Sequence, residues 1–512
     1  MQTAYQLVWM SKERSPDHLA MVDDQTDRAF SYTELIEEVD IVAAGLHARG
    51  IRQGDRVATV LPSLFDHCVV LLALQRLAAV PALINFRLTP NEIGSLVADG
   101  EMKAAVTLPD PEVVNAVTES LPSDGFVMSM GREAVGADAY ADCRGEIASL
   151  PCPVPKREDP AFIFYTSGTT GLPKGVVLNH GTSEHRIIWL STQAGLRHGT
   201  HNRALGFMPI SHAIGFYGVF LVTLALNGTY YVMSAFNPVE AVDAVEKYEI
   251  TYMFAVPQLY FAMGQAPNYA PEKMVSTELL LYGGAQIDGE FLKRMDAEWA
   301  GTVRHIYGTT ETMCSLYNPD PVSQHIRLRP GFYSRIRIIE IGGRIDHLVA
   351  PGEQGEMIVD ATVDTVFTEY LNRPDATAEK IVDGWYYTGD VCLLHENGDV
   401  DLIGRADDMI RSGGENIHPG DIEEVLEAYP GVKEAAVIGT PHEKWGEAVT
   451  ACVVGEVSPK DLDAALKESD LAAFKRPRRY MFLEMLPRNA ANKVLRRELK
   501  DLAGQGDAEE VG

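Results

Sequence analysis

The stretch Tyr165-Thr166-Ser167-Gly168-Thr169-Thr170-Gly171-Leu172-Pro173-Lys174-Gly175 decides the fold of this chain. Apolar residues at 161–164 lead into it and an apolar run at 176–178 follows it. This pattern predicts a strand, a glycine-rich turn and a second strand. Glycines let backbone N–H groups approach an anion closely, hydroxyls add donors, and Lys174 adds a positive charge. The stretch therefore predicts a loop that binds a polyphosphate.

The alternative interpretation of the same stretch is a Walker A loop, G-x-x-x-x-G-K-[ST]. Gly175 follows Lys174 where that pattern requires Ser or Thr, and the next segment has the pattern of a strand where a helix is required. Both differences argue against a P-loop NTPase. That alternative predicts hydrolysis of ATP to ADP, with no release of AMP.

Composition excludes several classes of function. The 512 residues are 46% hydrophobic and 23% charged, which is typical of a globular enzyme of two or more domains. The net charge of −28 argues against nucleic acid as a partner. The six cysteines include no C-x-x-C pair, which favours reduced thiols in the cytoplasm. The N-terminus does not have the pattern of a signal peptide, and the apolar run 218–233 is broken by Asn227 and Gly228, so we expect no membrane span.

Helical and strand patterns alternate in the first part of the chain. Residues 30–50 and 66–80 have the pattern of helices, and 56–61 and 81–84 that of strands. Such alternation predicts a parallel sheet covered by helices. Residues 134–160 are rich in Ala, Asp, Pro and Gly and are predicted to be a linker without strand or helix. After the glycine-rich loop we predict a helix at 180–196 and a strand at 204–209.

The residues TSGTTGLPKG at 166–175 resemble the phosphate loop of the adenylate-forming superfamily, which includes acyl- and aryl-CoA ligases, luciferases and peptide-synthetase adenylation domains. The second half of the chain resembles most the 4-chlorobenzoate–coenzyme A ligase branch and related aryl-CoA ligases. The resemblance implies an α/β fold. Its large N-terminal domain, 1–406, would contain parallel and mixed sheets covered by helices plus a β-rich subdomain. A small mobile α+β domain, 407–512, would follow a hinge at Asp407.

The resemblance also implies an ATP site that is spread over several motifs. Tyr307 would stack on adenine, Asp390 would accept hydrogen bonds from the ribose, and Arg405 would pair with phosphate. Thr166 and Glu311 would be the metal ligands for Mg²⁺, a hard ion that prefers oxygen. The implied ATP-binding residues are Thr166, Ser167, Gly168, Thr169, Thr170, Gly171, Lys174, Gly283, Gly284, Ala285, Tyr307, Gly308, Thr309, Thr310, Glu311, Asp390, Arg405 and Lys493.

Three residues match catalytic positions of the superfamily. Lys493 matches the adenylation lysine, and Asn492 precedes it, as in the chlorobenzoate ligase branch, where many members have Gly. His212 matches the residue that gates the carboxylate pocket, and Glu311 is the third. The implied pocket residues are Trp189, His212, Ala213, Ile214, Phe254, Gly283 and Met313. This mixture of aromatic and small residues suits a flat aryl acid, such as benzoate, a halobenzoate or furoate. Trp189 replaces a smaller aromatic residue of the chlorobenzoate ligase branch, which disfavours a para-halogen.

A dense basic cluster, FKRPRR at 474–479, stands out in this acidic chain. It resembles the coenzyme A clamp of the ligase branch. The implied coenzyme A-binding residues are Arg87, Gly413, Gly414, Trp445, Phe474, Arg476 and Arg478. We therefore expect ATP, Mg²⁺ and coenzyme A as cofactors, a small carboxylate as substrate, and no nucleic acid or membrane partner. A homodimer is expected at the level of the family.

The implied reaction has two halves. The carboxylate attacks the α-phosphate of ATP to give an acyl-adenylate and pyrophosphate, and the thiol of coenzyme A then displaces AMP. Two alternatives for the acceptor and the acid stay open. One is a medium-chain fatty acyl-CoA ligase, and the other is a free-standing adenylation enzyme that loads a carrier protein.

Overall fold

The computed structural model describes residues 2–131, 134–166, 173–412, 415–443, 445–469, 471–488, 494–504 and 509–510. The chain forms two compact units. The first comprises Met1–Ile336 and Val359–Tyr386, and the second comprises Arg337–Ile358 and Tyr387–Gly512. Each unit combines sheets with helices, so the predicted α/β class is confirmed. The domain boundary between 406 and 407, with its hinge, stays a prediction.

The strands are, in chain order, β1 (Leu19–Asp23), β2 (Arg28–Ser31), β3 (Arg56–Val60), β4 (Val80–Leu83), β5 (Ala104–Thr107), β6 (Phe126–Ser129), β7 (Asp138–Ala139), β8 (Pro160–Thr166), β9 (Lys174–Asn179), β10 (Arg203–Gly206), β11 (Thr229–Val232), β12 (Tyr252–Ala255), β13 (Leu279–Tyr282), β14 (Thr302–Tyr307), β15 (Leu316–Asn318), β16 (Arg327–Pro330), β17 (Ile336–Ile339), β18 (Gln354–Asp360), β19 (Glu369–Tyr370), β20 (Ile381–Val382), β21 (Trp385–Leu394), β22 (Val400–Arg405), β23 (Ile410–Ser412), β24 (Glu415–Ile417), β25 (Val432–His442), β26 (Gly446–Gly455), β27 (Arg479–Phe482) and β28 (Glu509–Glu510).

The helices are α1 (Ala4–Arg14), α2 (Tyr32–Ala48), α3 (Phe65–Arg76), α4 (Pro90–Asp99), α5 (Pro111–Ser120), α6 (His180–Trp189), α7 (Val222–Ala225), α8 (Pro238–Tyr248), α9 (Pro257–Gly264), α10 (Gly289–Glu298), α11 (Pro374–Lys380), α12 (Pro419–Glu427), α13 (Pro459–Glu468) and α14 (Arg496–Gly504). Two π-helical stretches adjoin them: Leu190–Ala194 continues α6, and Ile214–Leu221 leads into α7. In the part of the chain that the structure describes, no helix is long and apolar enough to cross a membrane.

One sheet of the first unit has the strand order β19-β9-β8-β4-β3-β5-β6-β7. Strands β4, β3, β5 and β6 are parallel, and α3, α4 and α5 are the connections between them, as the alternating pattern predicts. The predicted helix at 30–50 is α2, which starts because Ser31 and Glu34 form a capping box. The predicted helix at 66–80 is shorter, since α3 ends at Arg76 and β4 begins at Val80.

Two predictions from the sequence are wrong in detail. Residues 134–160 were predicted to contain no strand, but β7 lies there and pairs with β6, followed by 3₁₀ turns at Tyr140–Asp142 and Ile147–Ser149. The buried ring of Tyr140 anchors this segment to the core. The helix predicted at 180–196 is regular only to Trp189. The π-helical stretch that continues it ends at Ala194. The next residue, Gly195, has a left-handed φ of +86°, which favours glycine.

The other sheet of the first unit contains the order β16-β15-β14-β13-β12-β10-β11-β1-β2. Six neighbouring strands, from β14 to β1, are parallel. The carboxyl ends of parallel strands meet at one edge of a sheet, which is where α/β proteins bind ligands. Gly283 follows β13 and Gly308 follows β14, so two of the predicted motifs lie at this edge.

The second unit contains β22 and the larger parts of β17, β18 and β21, in the order β17-β18-β21-β22. Its other sheet has the order β24-β23-β26-β27-β28, with β25 also paired to β26. Helix α12 packs with β25 and β26, in line with the α+β character predicted for this part of the chain. Their apolar residues form a core of their own.

Candidate active site

The predicted phosphate loop joins two antiparallel strands. Thr166 at the end of β8 is directly opposite Lys174 at the start of β9, and the Thr166 hydroxyl lies 3.5 Å from the Lys174 carbonyl oxygen. Both flanking strands were predicted and are confirmed. The rest of the predicted loop, Ser167, Gly168, Thr169, Thr170 and Gly171, lies outside the described residues.

Tyr370 links two of the predicted ATP-binding residues. Strand β19 pairs antiparallel with β9 and places Tyr370 opposite Val176. The Lys174 ammonium lies 5.1 Å from the centre of the Tyr370 ring, and the Tyr370 hydroxyl donates a hydrogen bond of 2.8 Å to Oε1 of Glu311. Lys174 and Glu311 are therefore brought to the same place. Lys174 can contribute a positive charge there, and Glu311 can contribute a carboxylate oxygen.

The segment Tyr307–Met313 forms a tight turn at the end of β14. A Cβ on Gly308 would lie 1.3 Å from the Met313 carbonyl oxygen, so only glycine fits. The Met313 N–H donates to the Thr309 carbonyl at 2.5 Å, and the hydroxyls of Thr309 and Thr312 are 3.3 Å apart. Met313 has a φ of +40°, a conformation that is strained for a residue with a side chain. We call residues 309–313 the Glu311 turn.

The end of β13 brings the predicted ATP-binding residues Gly283, Gly284 and Ala285 to the same edge of the sheet. A Cβ on Gly283 would lie 2.6 Å from the Ile306 carbonyl oxygen. Gly284 follows with a φ of +82°, and Ala285 is next in the chain. Tyr307, which ends β14, is buried. The adenine site that Tyr307 and this backbone would form stays a prediction.

Three of the predicted substrate residues, Phe254, Gly283 and Met313, lie close together around Gly218. A Cβ on Gly218 would lie 2.7 Å from the Phe254 ring and 3.6 Å from Cε of Met313, and a Cβ on Gly283 would lie 3.4 Å from the same ring. The absence of a side chain at both positions lets the Phe254 ring pack directly against the backbone. Ala213 is buried and Ile214 is half-buried where the second π-helical stretch begins.

Trp189 is almost fully buried at the end of α6, in the same hydrophobic cluster as Phe254 and Met313. Its ring meets Tyr317 edge-on at 6.0 Å, and its indole nitrogen would be 2.3 Å from a Cβ on Gly331. The bulk of this tryptophan is therefore accommodated partly by the missing side chain at Gly331.

The His212 side chain is half-buried, and the backbone N–H of His212 donates to the Pro209 carbonyl at 3.0 Å. Burial lowers the pKa of His212, and the positive charge of Arg87 lowers the pKa further. The imidazole is therefore neutral at pH 7, with one N–H to donate. Arg87 is exposed on the loop after β4. The two residues, predicted for different ligands, thus interact electrostatically.

In the second unit, Asp390 and Arg405 form an ion pair. They are opposite each other in β21 and β22, and Nη1 of Arg405 donates to Oδ1 of Asp390 at 3.2 Å and to the Thr388 carbonyl at 3.0 Å. Arg405 also lies 3.6 Å from the carboxylate of exposed Asp407. If a nucleotide bound Asp390 through its ribose and Arg405 through its phosphate, as predicted, contacts to the nucleotide would replace the hydrogen bond between these two side chains.

The predicted coenzyme A clamp is only partly assembled within the second unit. The Arg478 guanidinium lies 5.7 Å from the centre of the Trp445 ring, which stacks on His442. Phe474 is exposed on a 3₁₀ turn. Arg476 instead lies 3.7 Å from the Asp463 carboxylate. Gly413, Gly414 and Lys493 lie outside the described residues.

Comparison with known proteins identifies the family. AMP-binding enzymes match over residues 8–371, and their C-terminal domain matches over residues 421–493. The chain belongs to the AMP-binding enzyme family. A 4-chlorobenzoate–CoA ligase of Arthrobacter sp. is 43% identical over 100% of this chain and 97% of the relative. Another, from Pseudomonas sp. (strain CBS-3), is 38% identical over 98% and 94%.

A solved structure is also similar to this AMP-binding enzyme. The o-succinylbenzoate coenzyme A synthetase of Bacillus subtilis, in complex with ATP and a magnesium ion, has a TM-score of 0.84 and 25% identity over 97% of this chain and 99% of that one. The predicted superfamily and its aryl-CoA ligase branch are confirmed. The chain is an AMP-forming acyl- or aryl-CoA synthetase, and ATP, Mg²⁺ and coenzyme A are the cofactors of this type of ligase.

Two residues at the site escaped the sequence analysis. Tyr370 contacts both Lys174 and Glu311, and Arg186 on α6 donates to the Thr310 carbonyl at 2.8 Å. Neither residue stands in a stretch with a spacing pattern that suggests phosphate or metal chemistry. An arginine on an otherwise core-facing stretch of α6 was the only available signal.

Proposed function

We propose that this AMP-binding enzyme converts a flat aryl carboxylate, such as benzoate, a halobenzoate or furoate, into its coenzyme A thioester. The grouping of Phe254 with the other predicted pocket residues supports this substrate class. Its ring packs against the backbone at Gly218 and Gly283, and the Met313 thioether approaches the same glycine, Gly218. An aromatic ring can pack against Phe254 in an offset or edge-on geometry, which an alkyl chain cannot do.

In the first half-reaction the carboxylate oxygen attacks the α-phosphorus of ATP, and the bond to pyrophosphate breaks. We assign Lys174 to the phosphates, because its ammonium is held beside Tyr370 next to Glu311. Lys493 would stabilise the charge that develops between the carboxylate and the α-phosphate. Adenine would lie between Tyr307 and the backbone at Gly283.

Glu311 and Thr166 fit the requirements of a magnesium site. Mg²⁺ prefers oxygen ligands, and both residues supply oxygen. One Glu311 oxygen is oriented by Tyr370, while Oε2 accepts no hydrogen bond from any described residue. Bound Mg²⁺ would neutralise phosphate charge. The role of the protein is to hold these two oxygen ligands in place.

His212 would orient the substrate carboxylate. Because its pKa is lowered, the ring is neutral and can donate one hydrogen bond to the carboxylate without competing as a cation for the phosphates. Arg87 lies near enough to affect that pKa, and a positive charge there would favour the anionic acid over its neutral form.

In the second half-reaction the thiolate sulfur of coenzyme A attacks the acyl carbon, and AMP leaves. We assign the nucleotide end of coenzyme A to Arg87, Trp445 and Arg478, with Phe474 and Arg476 as further candidates. Arg478 stacked on Trp445 presents a cation beside an aromatic surface, which suits a phosphorylated purine. Rotation of the C-terminal domain about Asp407 would withdraw Lys493 and bring Gly413 and Gly414 to the reacting atoms.

The test is AMP release with ATP, Mg²⁺ and coenzyme A over a panel of acids. We expect kcat/KM for benzoate, 2-furoate or 3-chlorobenzoate to exceed that for octanoate, and 4-chlorobenzoate to be weaker than 3-chlorobenzoate because of Trp189. A preference for octanoate would refute the aryl assignment. Adenylate formation with no consumption of coenzyme A would instead indicate a carrier-protein acceptor.

Two parts of the proposal concern the protein in the cell. A cytoplasmic location is supported by the free thiols of all six cysteines. Fractionation of cells that produce the protein at native level would test it. The homodimer remains a family-level prediction, and light scattering of the purified protein would test it.

A further inference from the structure

Arg186 is a buried cation to which the proposed mechanism gives no role. Its side chain is 2% exposed. Nη2 donates to the Thr310 carbonyl at 2.8 Å, and the guanidinium carbon lies 4.9 Å from the centre of the Tyr217 ring. Within the described residues, Nε and Nη1 have no hydrogen-bond partner. Two of the three nitrogens of a buried guanidinium thus have no acceptor in the part of the chain that the structure describes.

The surroundings of Arg186 compensate its charge only weakly. Burial lowers the pKa of Arg186, and the groups that act against this effect are Tyr217, Cys314 and Glu311. Of these, only Glu311 carries a charge at pH 7, and the carboxylate does not come into contact with the guanidinium. Burying a cation with so little compensation destabilises a fold. A fold that keeps such a group gains something from its charge or its donors elsewhere.

The contacts of Arg186 point to the Glu311 turn. Among the described residues, three hydrogen bonds hold this turn from outside: Arg186 to the Thr310 carbonyl, the Phe367 N–H to the Glu311 carbonyl at 2.7 Å, and the Tyr370 hydroxyl to the Glu311 side chain. Arg186 approaches from α6, whereas the other two donors belong to the segment that carries β19. Since Met313 has a strained positive φ, the turn needs such external contacts to keep its shape.

We propose that Arg186 is a positioning residue for the adenylation half-reaction. Its hydrogen bond fixes the turn that presents Glu311, and its buried positive charge favours the binding of the anionic nucleotide next to that turn. This inference rests on the proposed function, because it assigns Glu311 and the turn to the side of the site that binds MgATP. Arg186 itself touches no reacting atom.

The test uses the full-length protein with Arg186→Met, which keeps the length and packing of the side chain but removes its charge and donors. We expect the Kd for MgATP, measured by calorimetry, and the single-turnover rate of adenylate formation each to worsen about 10- to 100-fold, the scale of one hydrogen bond to a charged group. Conversion of a supplied acyl-adenylate by coenzyme A should be unchanged. The melting temperature should stay equal or rise, because an uncompensated buried charge is removed.

Two further variants separate charge from fold. Arg186→Lys keeps a cation and should recover part of the MgATP affinity. Arg304→Met is the matched control, because Arg304 also donates to a backbone carbonyl, that of Gln193 at 3.0 Å, and also has a buried Nε without a described partner. This control should leave the Kd for MgATP unchanged. The inference is overturned if Arg186→Met binds MgATP as the wild type does, or if both half-reactions and the melting temperature fall together.

Failure of the proposed function would look different. If the wild type formed no adenylate with any aryl acid, the substrate assignment would be wrong, while the Kd for MgATP would still report on Arg186. If the wild type adenylated aryl acids and Arg186→Met kept full MgATP affinity, the role of Arg186 alone would be refuted.

Discussion

Tyr370→Phe provides a sharp test of how the site holds Glu311. The substitution removes only the hydroxyl that donates to Glu311 at 2.8 Å. It keeps the ring that lies 5.1 Å from the Lys174 ammonium and 4.6 Å from the Phe367 ring. A hydrogen bond to a charged group contributes about 1.5–3 kcal/mol, so we expect a loss of about 10- to 100-fold in adenylate formation. The loss should be largest at low Mg²⁺, because a Glu311 carboxylate that is no longer oriented binds the ion less well.

The assay is single-turnover adenylate formation from benzoate and ATP over a titration of Mg²⁺, with the supplied adenylate and coenzyme A as a separate reaction. Tyr269→Phe is the matched control, because its hydroxyl donates to the Glu298 carboxylate at 2.7 Å elsewhere in the same unit. The control should retain full activity at every Mg²⁺ concentration. The reasoning would be refuted if Tyr370→Phe lost activity equally at all Mg²⁺ concentrations, or lost the thioester-forming reaction to the same degree.

Three other perturbations follow from the structure. Gly218→Ala places a Cβ 2.7 Å from the Phe254 ring, so the KM for benzoate should rise by about tenfold while the KM for ATP stays constant. An unchanged KM for benzoate would mean that the benzoate ring does not bind beside Phe254. Lys493→Ala should abolish adenylate formation but spare conversion of a supplied adenylate, and equal loss in both reactions would contradict the two-conformation mechanism. Burial lowers the pKa of His67 to about 4, so the unfolded chain binds this proton first as the pH falls, and the free energy of unfolding should lose roughly 3 kcal/mol from this residue between about pH 6.5 and 4. Urea unfolding at several pH values should show a shallower decline for His67→Asn, and identical slopes would exclude the effect.

Local patterns in the sequence predicted much of the fold. Helix α2 was readable because apolar residues recur at helical spacing over 30–50, and β8 and β9 because their apolar runs flank the glycine-rich stretch. The two-residue strand β7 escaped, since so short an edge strand leaves no periodic pattern. The π-helical stretch after Trp189 escaped as well, because one additional residue per turn changes no residue type.

The site was predictable only where its residues share a motif. Lys174 and Glu311 each stand in a recognisable stretch, but Tyr370 reaches Glu311 across 59 positions of sequence, and Arg186 reaches Thr310 across 124. Both contacts depend on tertiary structure: β19 must pair with β9, and α6 must pack against the turn. One sequence alone does not show which distant residue a given tyrosine or arginine contacts.

The positive φ of Met313 has a consequence for attempts to stabilise this protein. Asparagine or glycine would adopt this backbone at lower cost, so either substitution should release strain and raise the melting temperature. The same change would remove the thioether that lies beside Phe254 and loosen the segment that carries Glu311. Selection for heat resistance alone would therefore favour substitutions at position 313 that erode activity, and a stabilisation programme should hold this position constant while it varies the remainder of the chain.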